Sequence, residues 1–250
     1  MAAEVRVFAV PDLPEAARGM DLGAAIADAV LRAAMTIVAG DVFVVAQKFV
    51  SKAEGAVVAL ADVTPSTRAR EWADRYGKDP AVVEVVLRES QHIVRMDRGI
   101  IISETRHGFI CANAGVDVSN APDGFVTILP RDPDASADCL RRTLSTRLRC
   151  GVGVVVSDTF GRPWREGAVN VAIGVAGVRP LLDYRGHRDQ FGRRLQTTVI
   201  AVADEIASAA ELVMGKSART PVAVVRGAHE WTGEGAAAML IRSAATDLFR

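Results

Sequence analysis

The sequence predicts a mixed α+β fold, and three observations carry that prediction. Helical and extended patterns alternate only in places; the apolar runs between His92 and Asn113 read as an antiparallel meander; and "GVGVVVSD" reads as a buried strand placed directly after a helix. This mixture fits an α+β or irregular α/β domain better than a doubly wound sheet.

Taken in order, "VRVFAV" (Val5 to Val10) is predicted as a strand. Asp21 is placed to cap an alanine-rich helix in which Leu22, Ile26 and Val30 stack at the i, i+4 spacing, with its end expected near Gly40. "DVFVVAQ" (Asp41 to Gln47) is a second strand running into "KFVSKAEG", whose polar residues gather just past the strand's end. Residues 66 to 90 read as helix in two pieces, broken at Gly77 and Pro80, with charged faces that solvation alone explains. "HIVRM", "GIIIS" and "GFICAN" form the meander, and "AGVDVSNAPDG" is a loop. "DPDASADCLRRTLSTRLRC" is an amphipathic helix carrying Leu140, Leu144 and Leu148. Beyond the buried strand, Thr159 to Leu195 reads as irregular, followed by "TTVIAVA", a helix from about Asp204 to Met214 and the strand "PVAVVRG". Asp204 and Glu205 fall at that helix's start, where capping is their simplest role, and Gly215 fits its C-cap. There is no repeat, low-complexity linker or heptad run.

Composition excludes several classes of function. With 250 residues, half of them hydrophobic, the chain can bury a full core. Thirty basic residues balance thirty acidic ones, so no net field draws the protein to nucleic acid or to a membrane, and any bound anion needs a local cluster. Cys111, Cys139 and Cys150 are odd in number and lack a CxxC spacing, which argues against a disulfide framework and a zinc site. The N-terminal apolar run is broken by Arg6 and Pro11, so it is neither a signal peptide nor a span, and a soluble cytoplasmic protein is expected. GxxxxGK[ST], GxGxxG between strand and helix, GxSxG and HExxH are all missing, and His92, His107, His187 and His229 are scattered.

The chemistry-bearing residues fall in four places. Asp158 and Thr159 end the buried strand, where open sheets bind ligands; such a pair suits Mg²⁺ or Mn²⁺, and Arg162 and Arg165 beyond it suit phosphate. The alternative is that Asp158 caps a turn and the arginines face water. Asp117 and Asn120 in "AGVDVSN" can serve a metal and a nucleotide's polar edge, or simply form an Asx-turn. Lys48, Ser51 and Lys52, with Glu54 nearby, follow the second strand; a lysine there neutralises phosphate or is merely solvated. The loop Leu13 to Ala16 offers only backbone groups.

In their order and spacing, "QKFVSKAEG", "AGVDVSN", "SDTFGRPWREG", "NVAIGVAG", "DYRGHRD" and "VADEIASAAELVMGK" resemble the coenzyme F420-0:L-glutamate ligase family, from "VFAVPDLPE" to "TPVAVVRG". The resemblance implies GTP-dependent addition of L-glutamate to the tail of a deazaflavin coenzyme through an acyl phosphate. It implies an uncommon α+β fold of two intertwined subdomains spanning residues 1–250, and a homodimer. It places GTP against Leu13, Pro14, Glu15, Ala16, Gln47, Lys52, Asn120 and the segment from Met214 to Pro221, which includes Gly215, Lys216 and Ser217. Two Mg²⁺ or Mn²⁺ ions would fall to Asp117, Asp158 and Thr159, while Lys52, Arg162 and Arg165 are the catalytic candidates. Two residues depart from the pattern. Lys216 stands where some members have an uncharged metal-ligating side chain, and Ala168 replaces a polar residue expected after "REG". Some members also carry a C-terminal nitroreductase-like domain, and this chain ends about where one would start. The rival readings are the same chemistry on a pterin or folate tail, and a non-catalytic nucleotide- or deazaflavin-binding module.

Overall fold

The structure is a computed structural model and describes residues 4–227 and 231–248, so His229 and the N-terminal Met1 to Ala3 lie outside the described residues. In chain order its elements are β1 (Arg6–Ala9), α1 (Leu22–Arg32), β2 (Val42–Ala46), α2 (Gln47–Glu54), β3 (Val57–Ala59), α3 (Thr67–Tyr76), α4 (Pro80–Glu89), β4 (Ser90–Asp97), β5 (Ile100–Thr105), β6 (Ile110–Ala112), β7 (Phe125–Thr127), α5 (Pro133–Leu148), β8 (Gly153–Arg162), β9 (Arg165–Ala176), β10 (Leu182–Asp183), β11 (Val199–Ile200), α6 (Val202–Met214) and β12 (Val222–Arg226). The fold is α+β.

The central sheet has the order β1-β12-β2-β8-β9 and is antiparallel except for the β2–β8 pair. Strands β2, β8 and β12 carry apolar residues on both faces because helices cover both. On one face, Phe43, Val45, Val154 and Val156 pack with Ile26 and Val30 of α1 and Leu140 and Leu144 of α5. On the other, Val42, Val44 and Val155 pack with Ala203, Ile206, Ala207 and Ala210 of α6. Each large apolar side chain buried here contributes about 1.5–3 kcal/mol relative to exposure.

A second core is built from one continuous stretch, Val63 to Val126. Ala69 and Ala73 of α3, Val83 and Val86 of α4, Ile101 of β5 and Val126 of β7 meet there, beside the three-stranded meander β4-β5-β6. Ser66 caps α3 and Gly77 ends it with a left-handed φ of 63°; Asp79 then caps α4, with Pro80 in its first turn. The break predicted at Gly77 and Pro80 is therefore two caps back to back.

Four expectations change. Helix α1 stops at Arg32 rather than near Gly40, because Ala34 takes a positive φ of 50° and the β-branched run from Thr36 to Val38 follows. The strand expected to run through Gln47 stops at Ala46, and "QKFVSKAE" forms the helix α2, which buries Phe49, Val50 and Ala53. The strand does not stop at Asp158: β8 continues to Arg162 and turns into β9, so the segment read as irregular begins as a long hairpin. Asp204 does not cap α6; its carboxylate accepts from the Ala172 N–H on β9 at 2.9 Å and pins helix to sheet, whereas Gly215 does end the helix. All three cysteines are free. Among the described residues no helix is long and apolar enough to cross a membrane.

Candidate active site

A cavity of about 1390 Å³ opens where β2 and β8 lose each other. The parallel pairing of these strands ends at Ala46 opposite Ser157. Beyond that point the chain of β2 turns into α2, while β8 continues with β9 alone on its other side, so Asp158 and Thr159 line open space where a strand would otherwise lie. The first turn of α2 has no side-chain cap, and Gln47 and Lys48 line the cavity. A helix N-terminus carries partial positive charge, and this one has no side-chain cap, an arrangement suited to phosphate.

Two polar clusters face each other across this opening. In the first, Asp117 forms an Asx-turn, accepting from the Ser119 N–H at 2.6 Å, and its other oxygen pairs with Lys48 Nζ at 2.5 Å. The Asx-turn reading of this residue holds, and the same carboxylate also has a lysine as its charge partner. Burial pulls its acidity one way, but the hydrogen bonds from Lys48 and Ser119 outweigh it and hold the carboxyl below its ordinary value. In the second, Lys216 donates to the Thr159 hydroxyl, which donates to Asn170 Oδ1 at 2.7 Å; Asn170 in turn donates to Glu211 at 2.9 Å, and Lys216 lies 4.0 Å from Glu211.

Asp158 stands between them. It makes no ion pair within 4.0 Å among the described residues, and burial pushes its carboxyl up to about 6 against the pull of the Thr159 N–H and Lys48. The negative charge of Asp117 adds to that rise, so the two carboxylates are near enough to feel one another. Burial also lifts the thiol of Cys111 to about 12, with Asp158 contributing, so this cysteine is an inert wall of the cavity. The neighbouring Ser157 is 2% exposed and its hydroxyl has no hydrogen-bond partner among the described residues.

Leu13, Pro14, Glu15, Ala16, Gln47, Lys52, Asp117, Asn120, Asp158, Thr159, Met214, Gly215, Lys216 and Ser217 all line this cavity. Lys52 is paired with Glu15, which gives the first loop a charge that its sequence reading passed over. Gln47 is buried, and its amide nitrogen is committed to Ser51 and the Ile128 carbonyl, fixing α2 against the chain just beyond β7. Arg162 and Arg165 are not brought in. They face each other across the hairpin tip, where Arg162 donates to the Glu166 and Gly167 carbonyls, and neither lines the cavity; Ala168 lies on the same exposed arm. Asn170 and Glu211 escaped the sequence reading. The alternation of Val169, Val171, Ile173 and Val175 was the available signal, since it marks a strand that sets Asn170 opposite Thr159.

Among the described residues no three His, Cys, Asp or Glu side chains gather into a ready cation cage. The donors present, two carboxylates and a hydroxyl, are hard oxygens. They fit Mg²⁺ or Mn²⁺ held jointly with substrate phosphates better than an ion held by protein alone.

Residues 12–227 match the family model described as F420-0:Gamma-glutamyl ligase. A coenzyme F420:L-glutamate ligase of Methanothermobacter thermautotrophicus is 45% identical over 250 residues, covering 98% of this chain and 99% of the relative. The protein of that name from Methanopyrus kandleri is 51% identical over 216 residues, covering 84% and 86%, and that from Archaeoglobus fulgidus is 40% identical over 247 residues, covering 98% and 96%. The chain belongs to the F420-0:gamma-glutamyl ligase family.

Proposed function

We propose that this chain, with residues 1–250 as one catalytic unit, joins L-glutamate to the terminal carboxylate of coenzyme F420-0 at the expense of GTP. The observation that carries the reading is the convergence of Asp117, Asp158, Thr159 and three lysines, Lys48, Lys52 and Lys216, on one cavity in a chain of this family. A carboxylate does not condense with an amine in water without activation. In the first step a carboxylate oxygen of the acceptor attacks the γ-phosphorus of GTP, the bridging bond to the β-phosphate breaks, and GDP leaves. In the second, the glutamate nitrogen attacks the acyl carbon, inorganic phosphate departs with the bonding electrons, and the nitrogen loses a proton.

The residues supply position and charge, and no nucleophilic side chain is required. Lys52 and Lys48, with the uncapped N-terminus of α2, receive the phosphates. Asp117, Asp158 and Thr159 would hold the two divalent ions implied by the family resemblance, which neutralise charge on the phosphates. The ammonium of Lys216 already stands at Thr159, so a second ion there shares that position with it or displaces it. The enzyme is proposed to be cytoplasmic and to work as a homodimer, which sedimentation would check.

The test is one incubation with F420-0, GTP, L-glutamate and Mg²⁺ or Mn²⁺, read by mass spectrometry and phosphate release. The expected result is a product heavier by one glutamate residue or more, with one GDP and one phosphate per addition. Addition to a folate tail but not to F420-0, or coenzyme binding without GTP turnover, would replace the proposal with one of its rivals.

A further inference from the structure

The cavity exceeds the roughly 300–1,000 Å³ that single ligands occupy. It is also uneven. Its charged groups collect where β2 and β8 part and α6 ends, but the same cavity continues along the second core, where Trp72 of α3, Val82, Val83 and Val86 of α4 and Ile101 of β5 form its wall. Val83, Val86 and Ile101 are buried, while Trp72 and Val82 keep part of their surface open. The indole is braced by Tyr76, whose ring centroid is 4.3 Å away. The turn joining α3 to α4 brings one lysine and one aspartate, Lys78 and Asp79, and the Asp79 carboxylate is spent capping α4.

We propose that this apolar lobe seats the flat heteroaromatic ring of the acceptor, whose carboxylate-bearing tail runs from it to the charged end. The proposal rests on the ligase reading and adds the acceptor subsite to it. A triphosphate finds too little positive charge in the lobe. A guanine there would bury a hydrogen-bonding edge against five side chains that offer one donor, the indole N–H, and leaving such an edge unpaired is costly. The tricyclic ring of a deazaflavin also has a polar imide edge, but it is longer than guanine, so its apolar face can stack on Trp72 inside the lobe while that edge stays at the open mouth.

Two variants of the full chain test it, Trp72→Ala and the half-buried rim substitution Val82→Glu, each checked for folding by circular dichroism. The KM for F420-0 is expected to rise about tenfold or more in both, with the KM for GTP and for glutamate within about twofold of wild type. A rise for GTP instead would put the nucleobase in the lobe, and unchanged values for all three would leave it without a substrate; either overturns the proposal. Titrating F420-0 against the three proteins by its own fluorescence separates this from a failure of the ligase reading. A dissociation constant weakened about tenfold in both variants supports the lobe even if turnover is absent, and equal constants overturn it even if turnover is normal.

Discussion

The two ends of the β2–β8 pair each hold a carboxylate, one buried and one half-buried on the cavity wall, and treat them in opposite ways. At the start of β2, Asp41 is 1% exposed and fully partnered: it accepts from Arg226 through Nε at 2.9 Å and through a terminal nitrogen at 2.6 Å, and from the Val38 N–H at 3.0 Å. Arg226 in turn donates to the Thr36 carbonyl and lies over the Phe8 ring, 5.1 Å from its centroid. At the far end, among the described residues, Asp158 has no cation within 4.0 Å and the hydroxyl of Ser157 beside it has no hydrogen-bond partner. Nearly all buried polar groups in folded proteins are paired, and under the proposed function the partners missing at the second end are those that a bound substrate would supply. The contrast separates closing the fold from preparing the chemistry.

Breaking the contrast at the unpaired end should cost activity alone. Asp158→Asn is expected to lower turnover by at least about 100-fold, measured as GDP release, because it removes a fixed charge from the place where phosphate charge must be balanced. Its melting temperature should match or exceed that of wild type, since a neutral amide is cheaper than a carboxylate in a desolvated site. Turnover within threefold of wild type would remove Asp158 from the chemistry. The opposite result is expected at the paired end. Asp41→Asn should cost about 2–3 kcal/mol of stability in denaturant titration, because Arg226 loses its partner while remaining partly buried, and kcat/KM should stay unchanged wherever the variant is folded. Loss of activity without loss of stability in Asp41→Asn would erase the distinction.

A smaller effect is expected from Lys52→Ala. Lys52 is held by the exposed Glu15 and can exchange that partner for a phosphate, so the variant should raise the KM for GTP about tenfold and leave the KM for glutamate alone. Equal shifts for both substrates would mean that Lys52 supports the loop rather than the nucleotide.

What the sequence reveals and conceals follows the same division. Helices α3, α4 and α5 announce themselves through caps and spacing, which are local, and Asp117 and Asp158 stand out because each follows an apolar run. Strand β9 does not, because its alternate positions Ala172, Gly174 and Ala176 look like a loop. Those positions are small for packing: a Cβ at Gly174 would lie 2.1 Å from the Pro133 carbonyl oxygen at the start of α5. The helix α2 is hidden by its eight-residue length and its lysines, although Phe49, Val50 and Ala53 share one face. The lobe around Trp72 could not be read at all, since it exists only once the second core is set against the central sheet. Arg162 and Arg165 mislead for the converse reason. Nearness in sequence to Asp158 carries them out along a hairpin, away from the cavity.

The smallest effect is also the sharpest test of whether an unpaired group marks a site. Ser157 and Ser103 are both buried strand residues whose hydroxyls lack a partner among the described residues, but only Ser157 lines the cavity. Replacing either by alanine removes a desolvated hydroxyl without breaking a hydrogen bond, so both variants should gain up to about 1 kcal/mol in stability. Their kinetics should diverge. Ser157→Ala is expected to raise the KM for GTP or for the acceptor about fivefold, the value of one hydrogen bond supplied by a ligand, whereas Ser103→Ala leaves every constant unchanged. If Ser157→Ala gains stability and keeps all its kinetic constants, its hydroxyl is a packing defect like that of Ser103, and missing partners at the end of β8 cease to point to a bound substrate.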